Sequence, residues 1–159
     1  NKKTAYLGLF AAVAIIFGYV ESLFPFFAGI PGIKLGLANL AVLFILETYT
    51  WKEAAVVSAV RIVVIGFLFG NMFTIIYSLA GAALSLFVMT LMKKSSGFSI
   101  LGISVAGGVS HNIGQLMVAA LIVENTSLLY YAPVLLISGV VTGLLIGILT
   151  KEVTKRIHL

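Results

Sequence analysis

The chain has 159 residues, of which 61% are hydrophobic and only 9% charged, with a net charge of +5. A soluble domain carries roughly 25% charged residues, so a soluble fold is excluded and an all-α integral membrane protein is predicted. No cysteine is present, which excludes disulfides, thiolate metal sites and a cysteine nucleophile.

A span needs ~20 apolar residues to cross ~30 Å of hydrocarbon, so the length accommodates five or six helices, and the pattern along the chain reads as a single membrane domain, residues 1–159, built as a six-transmembrane-helix bundle. Continuous apolar runs such as AVLFIL and LLISGVVTGLLIGIL argue against the alternating pattern of a barrel.

Lys2 and Lys3 lead into a first span, from about Thr4 to Val20, which reads as a membrane helix and not as a cleaved signal peptide. Thr4, Gly8 and Ala12 recur at four-residue spacing and lay small side chains along one stripe, which suits close approach by another helix, in this chain or in a separate subunit. ESLFPFFAGIPGIK, from Glu21 to Lys34, follows. Its prolines and glycines break the helix pattern, while Phe24, Phe26 and Phe27 keep it apolar. Such a segment is tolerated at a membrane when it is buried in protein or lines a cavity, so a structured lid or re-entrant loop is expected, with an interfacial aromatic anchor as the simpler reading.

The second span, Leu35 to Tyr49, carries Asn39 near its start and reaches a turn at Thr50 to Glu53. The third, Ala54 to Phe69, holds Arg61, where a charge costs about 2.5 to 3.5 kcal/mol. Arg61 therefore needs a partner, either Glu21 or an anionic ligand. Gly70 and Asn71 form the next turn. The fourth span, Met72 to Met92, bears Thr74, Ser78 and Ser85, hydroxyls that commonly bond their own helix.

After the polar break KKSSG, the fifth span runs from about Ser99 to Val123 through GGVSHNIGQ. His111 and Gln115, four residues apart, share one helical face, with Asn112 beside them. Polar side chains at membrane depth point to function, although hydrogen bonding between helices is the alternative. The sixth span, Val134 to Thr150, carries Gly139, Gly143 and Gly147 at the spacing that permits tight helix packing. A basic tail, KEVTKRIHL, ends the chain.

Six spans place Lys2, Lys3, Lys52, Lys93, Lys94, Lys151, Lys155 and Arg156 on one side and Lys34 alone on the other. The excess of basic residues on the cytoplasmic side then predicts a multi-pass plasma-membrane protein with both termini in the cytoplasm. That explains the net charge without nucleic acid, which is not expected as a partner. The lid falls outside, above Arg61 and His111, and describes an outward-facing pocket. Its substrate-binding candidates are Glu21, Phe24, Phe26, Lys34, Asn39, Arg61, Asn71, His111, Asn112 and Gln115.

ESLFPFFAGIPGIKLGLANL, EAAVVSAVRIVVIGFLFG, SLAGAALSLFVM, SVAGGVSHNIGQL and YYAPVLLISGVVTGLLIGIL, in order from Leu7 to Thr150, resemble the Gx transporter family, also catalogued as heptaprenyl diphosphate synthase component I. That family is similar in size and six-span layout to the substrate-binding S components of energy-coupling factor (ECF) transporters. The resemblance implies an ECF S-component-like fold, a lid that closes over a small-molecule substrate, and partners in the form of a membrane coupling subunit and ATPase subunits. It also implies that Thr4, Gly8 and Ala12 form the partner-docking stripe, with Gly8 standing where S components typically have alanine.

Two functions follow. In the first, the chain binds a small molecule outside and delivers it inward. It has no GxxxxGK[ST] phosphate loop, so the energy comes from other subunits or a gradient. In the second, it is a noncatalytic membrane component of polyprenyl diphosphate or quinone biosynthesis. Catalysis itself is not expected. Prenyl elongation holds diphosphate through magnesium on aspartates, and this chain has no aspartate and only scattered glutamates. Ser110 beside His111 is no triad, His111 and His158 make no metal site, and no cofactor is expected. Lys34, Arg61 and His111 outnumber Glu21 around the inferred cavity, which predicts a small amphipathic ligand with an acidic group, such as a flavin, a naphthoate-type quinone precursor or a prenyl phosphate.

Overall fold

The computed structural model describes residues 2–23, 37–95 and 97–157, and among these every regular element is a helix. In chain order they are α1 (Lys2–Leu23), α2 (Leu37–Thr48), α3 (Trp51–Phe69), α4 (Met72–Lys94), α5 (Ile100–Val123) and α6 (Ala132–Arg156), with a short 3-10 helix, Thr126–Tyr131, between the last two. Spans α1, α4, α5 and α6 are long and apolar enough to cross a membrane. Helix α2 has 12 residues, roughly 18 Å at 1.5 Å per residue, and is short of a full crossing. Helix α3 reaches 19 residues but carries Lys52, Glu53 and Arg61. The tail expected after Thr150 is not separate, because α6 continues through Glu152 and Lys155 to Arg156.

The helix boundaries follow local chemistry. Thr50 precedes α3, where the Glu53 carboxylate turns back to accept from the Thr50 backbone N–H at 3.2 Å and from the Thr50 hydroxyl, satisfying groups at the helix start. Asn71 caps α4 by accepting from the Thr74 N–H at 2.8 Å, and Ser99 caps α5 by accepting from the Gly102 N–H at 3.2 Å. Helix α5 ends at Glu124, whose φ of 57° lies in the left-handed region usually taken by glycine.

Helix α2 is the centre of the bundle. Six successive residues, Ala41 to Leu46, are all buried, the mark of a helix surrounded on every side. It packs against α1, α3 and α6. Glycines set the distances elsewhere. A Cβ on Gly143 would lie 2.7 Å from the Val105 Cα, and one on Gly108 would lie 2.7 Å from the Gly139 carbonyl oxygen. Backbone therefore meets backbone between α5 and α6, as the four-residue glycine spacing predicts. On the other side of α5, a Cβ on Gly114 would lie 2.9 Å from the Gly81 Cα of α4.

Two contacts tie the basic end of the bundle. The Lys3 ammonium reaches the Glu53 carboxylate at 2.7 Å and lies over the Tyr49 ring. The Lys93 ammonium donates to the Leu46 carbonyl at the end of α2. Glu53 precedes the apolar run that begins at Ala54, and its carboxyl is held down to about 2, first by Lys3 and then by Thr50.

Candidate ligand pocket and docking face

Arg61 lies within α3 on the side facing α1. A Cβ on Gly18 would lie 3.0 Å from Ile65 and 3.9 Å from the Arg61 side chain, so glycine lets α1 come close at this level. Glu21, in the last turn of α1, is the charge that acts on Arg61. The Arg61 Nε is buried and has no hydrogen-bond partner among the described residues. A guanidinium presents several donors in a fixed fork, and this one leaves a donor for another acceptor.

The polar cluster of α5 divides between two neighbours. His111 and Gln115 face Gly81 of α4, whose added Cβ would meet the Gln115 Cγ and the His111 carbonyl oxygen, each at 2.7 Å. Gln115 is 4% exposed, and its Nε2 has no partner among the described residues. Asn112 points the other way and donates to the Leu135 carbonyl of α6 at 2.8 Å. Adjacent helical residues diverge by about 100°, which is why the three do not share one face.

Asn39 lines a third location, a cavity of ≈ 30 Å³ between α2, α4, α5 and α6. Ser85, Ser104 and Thr142 line it too, together with Leu43, Met89 and Ile146. These hydroxyls were not candidates from sequence. Their common signal is position: Ser85 lies four residues from Gly81, and Ser104 and Thr142 sit on the glycine-bearing faces of α5 and α6. Asn71 is exposed and serves as the α4 cap. Phe24, Phe26, Phe27 and Lys34 lie outside the described residues, as does His158.

Thr4, Gly8 and Ala12 are all exposed along α1. A Cβ on Gly8 would have nothing within 4 Å. Beside this stripe runs an apolar groove of ≈ 410 Å³, lined by Thr4, Leu7, Gly8 and Ala11 of α1 and by Val56, Val57 and Val60 of α3, with Lys52 and Glu53 at its basic end.

An apolar all-helical bundle with long candidate spans, a half-buried arginine and polar interiors defines a multi-pass membrane protein. The chain belongs to the family described as heptaprenyl diphosphate synthase component I, whose sequence model matches residues 10–153. No curated protein and no solved structure gives a match to it.

Proposed function

We propose that this protein is the membrane substrate-binding subunit of an uptake system, similar to an ECF S component, and takes a small amphipathic molecule with an acidic group. The observation that carries the reading is Arg61. Its guanidinium sits midway along α3 with Glu21 nearby and a buried donor that has no partner among the described residues. A carboxylate or phosphate can occupy such a fork in a bidentate way. The segment after α1, with Phe24, Phe26 and Lys34, supplies an apolar lid with one further cation in this reading. Of the remaining candidates, His111 and Gln115 belong to the polar interior around that ligand.

In this reading the chain crosses the membrane six times, the parts of the chain that contain α2 and α3 completing the count, with both termini in the cytoplasm of a plasma-membrane protein. Energy comes from a separate membrane coupling subunit and its ATPases. Thr4, Gly8 and Ala12 dock that subunit, and the exposed stripe with its adjoining groove supports this over packing within the chain. The test is a ligand panel of flavins, naphthoates and prenyl phosphates, each paired with a neutral analogue and read by thermal shift on the purified protein, since a site ligand raises stability with its concentration over Kd. Acidic members should stabilise and neutral ones should not. Equal stabilisation by both would end the acidic-ligand reading.

The family description favours a second reading, in which the chain is a noncatalytic partner of a prenyl diphosphate synthase. The absence of aspartate supports the noncatalytic part. Co-expression with a catalytic prenyltransferase subunit tests it: the pair should co-purify, and product length or rate should depend on the membrane chain.

A further inference from the structure

The cavity beside Asn39 goes beyond the ligand reading and does not depend on it. Thr142 donates its hydroxyl proton to the Ser138 carbonyl at 2.8 Å, and Ser104 donates its own to the Gly143 carbonyl at 2.6 Å. A hydroxyl whose proton is committed to a carbonyl has only lone pairs left to offer, and the bond it donates polarises it into a better acceptor. Asn39 and Ser85 line the same walls, and their side chains can add an amide oxygen and a hydroxyl oxygen as acceptors. No lysine, arginine or histidine is among the described residues lining the space. Its interior therefore presents oxygen acceptors in a medium where charge is otherwise poorly solvated.

The space also has a floor. On α2, Asn39, Leu43 and Glu47 follow at four-residue spacing. On α4 the matching set is Ser85, Met89 and Lys93, and on α6 it is Thr142, Ile146 and Thr150. Each helix thus reads polar, apolar, polar along one face. Leu43, Met89 and Ile146 are buried and close the cavity toward the basic end. One turn beyond them, Glu47 has a buried carboxyl oxygen, and Thr150, which is 0% exposed, a buried hydroxyl; neither atom has a hydrogen-bond partner among the described residues. Lys93 is held on the Leu46 carbonyl at that level.

We propose that the cavity walled by Asn39, Ser85, Ser104 and Thr142 is a binding site for a sodium ion, coordinated by neutral oxygens in the interior of the bundle. A volume of ≈ 30 Å³ suits an occupant of about the size of a water molecule. Magnesium and calcium favour carboxylate ligands, and none is among the described residues lining the walls. Hydroxyl and carbonyl oxygens without formal charge suit a monovalent ion.

Equilibrium binding of radiolabelled sodium to the purified full chain tests the site. Binding should be saturable and displaced by unlabelled sodium chloride but not by choline chloride. Thr142→Val, which keeps the shape and removes the oxygen, should weaken it about tenfold or more, whereas Thr142→Ser should bind as the wild type does. If Thr142→Val does not fold, Asn39→Leu carries the same expectation. Absence of saturable binding by helical, monodisperse wild-type protein overturns the proposal, as does sodium binding unchanged in both Thr142→Val and Asn39→Leu. The cavity then holds water only.

Discussion

Individual side chains in this bundle divide by whether their polar atoms are already matched. Asn112 is matched through the Leu135 carbonyl. Asn112→Leu should therefore lower thermal stability by about 0.6 to 2 kcal/mol, the range for hydrogen bonds between membrane helices, while leaving ligand binding intact. Glu53 is matched as well, by Lys3 and Thr50. Its folded carboxyl titrates at about 2 against an ordinary 4.5, so its contribution is present above the ordinary value and is lost as pH falls through the interval between the two. An acid titration of the melting temperature should show a drop across that interval that is absent in Glu53→Gln. Arg61 and Gln115 differ from both, because each keeps a buried donor without a partner among the described residues.

At the scale of helices, glycine does opposite things in different places. Gly108 and Gly143 stand against backbone, with nearest atoms at 2.7 Å, and a larger side chain there must push α5 and α6 apart. Gly143→Leu should cost about 1 to 3 kcal/mol or more, seen as a lower melting temperature. Gly8 has open space around it, so Gly8→Leu should fold normally and retain ligand binding but lose uptake or co-purification with a coupling subunit. Loss of the fold in Gly8→Leu would return the stripe to packing within the chain. The glycine periods of α6 were legible in sequence because the four-residue spacing itself encodes a close helix contact. The division of GGVSHNIGQ between α4 and α6 was not. Spacing says that His111 and Gln115 share a face and that Asn112 diverges, but which neighbour lies on each side depends on the order of helices around α5. Similarly, the turn position of Asn71 does not reveal by itself that the residue caps α4, which only the Thr74 contact shows.

The whole molecule is a bundle around a short central helix, with α1 at its periphery and the tightest packing in α4, α5 and α6. Its helical, membrane-spanning character was legible from composition alone, since the shortage of charge leaves no soluble alternative. The cavity at Asn39 was not legible, because it is assembled from four helices and its hydroxyls look ordinary in each. Six crossings with both termini inside should give terminal tags that an impermeant reagent outside sealed cells cannot reach; labelling of a C-terminal tag would require another topology. Direct titration tests most closely the proposal that Arg61 grips an acidic ligand. The best acidic compound of the panel should bind the wild-type protein saturably and bind Arg61→Ala about tenfold to a hundredfold more weakly. Arg61→Lys should fall between them, because an ammonium keeps the charge but not the fork. Equal affinity for wild type and Arg61→Ala, with both proteins folded, would rule out that grip and leave Arg61 as the structural partner of Glu21.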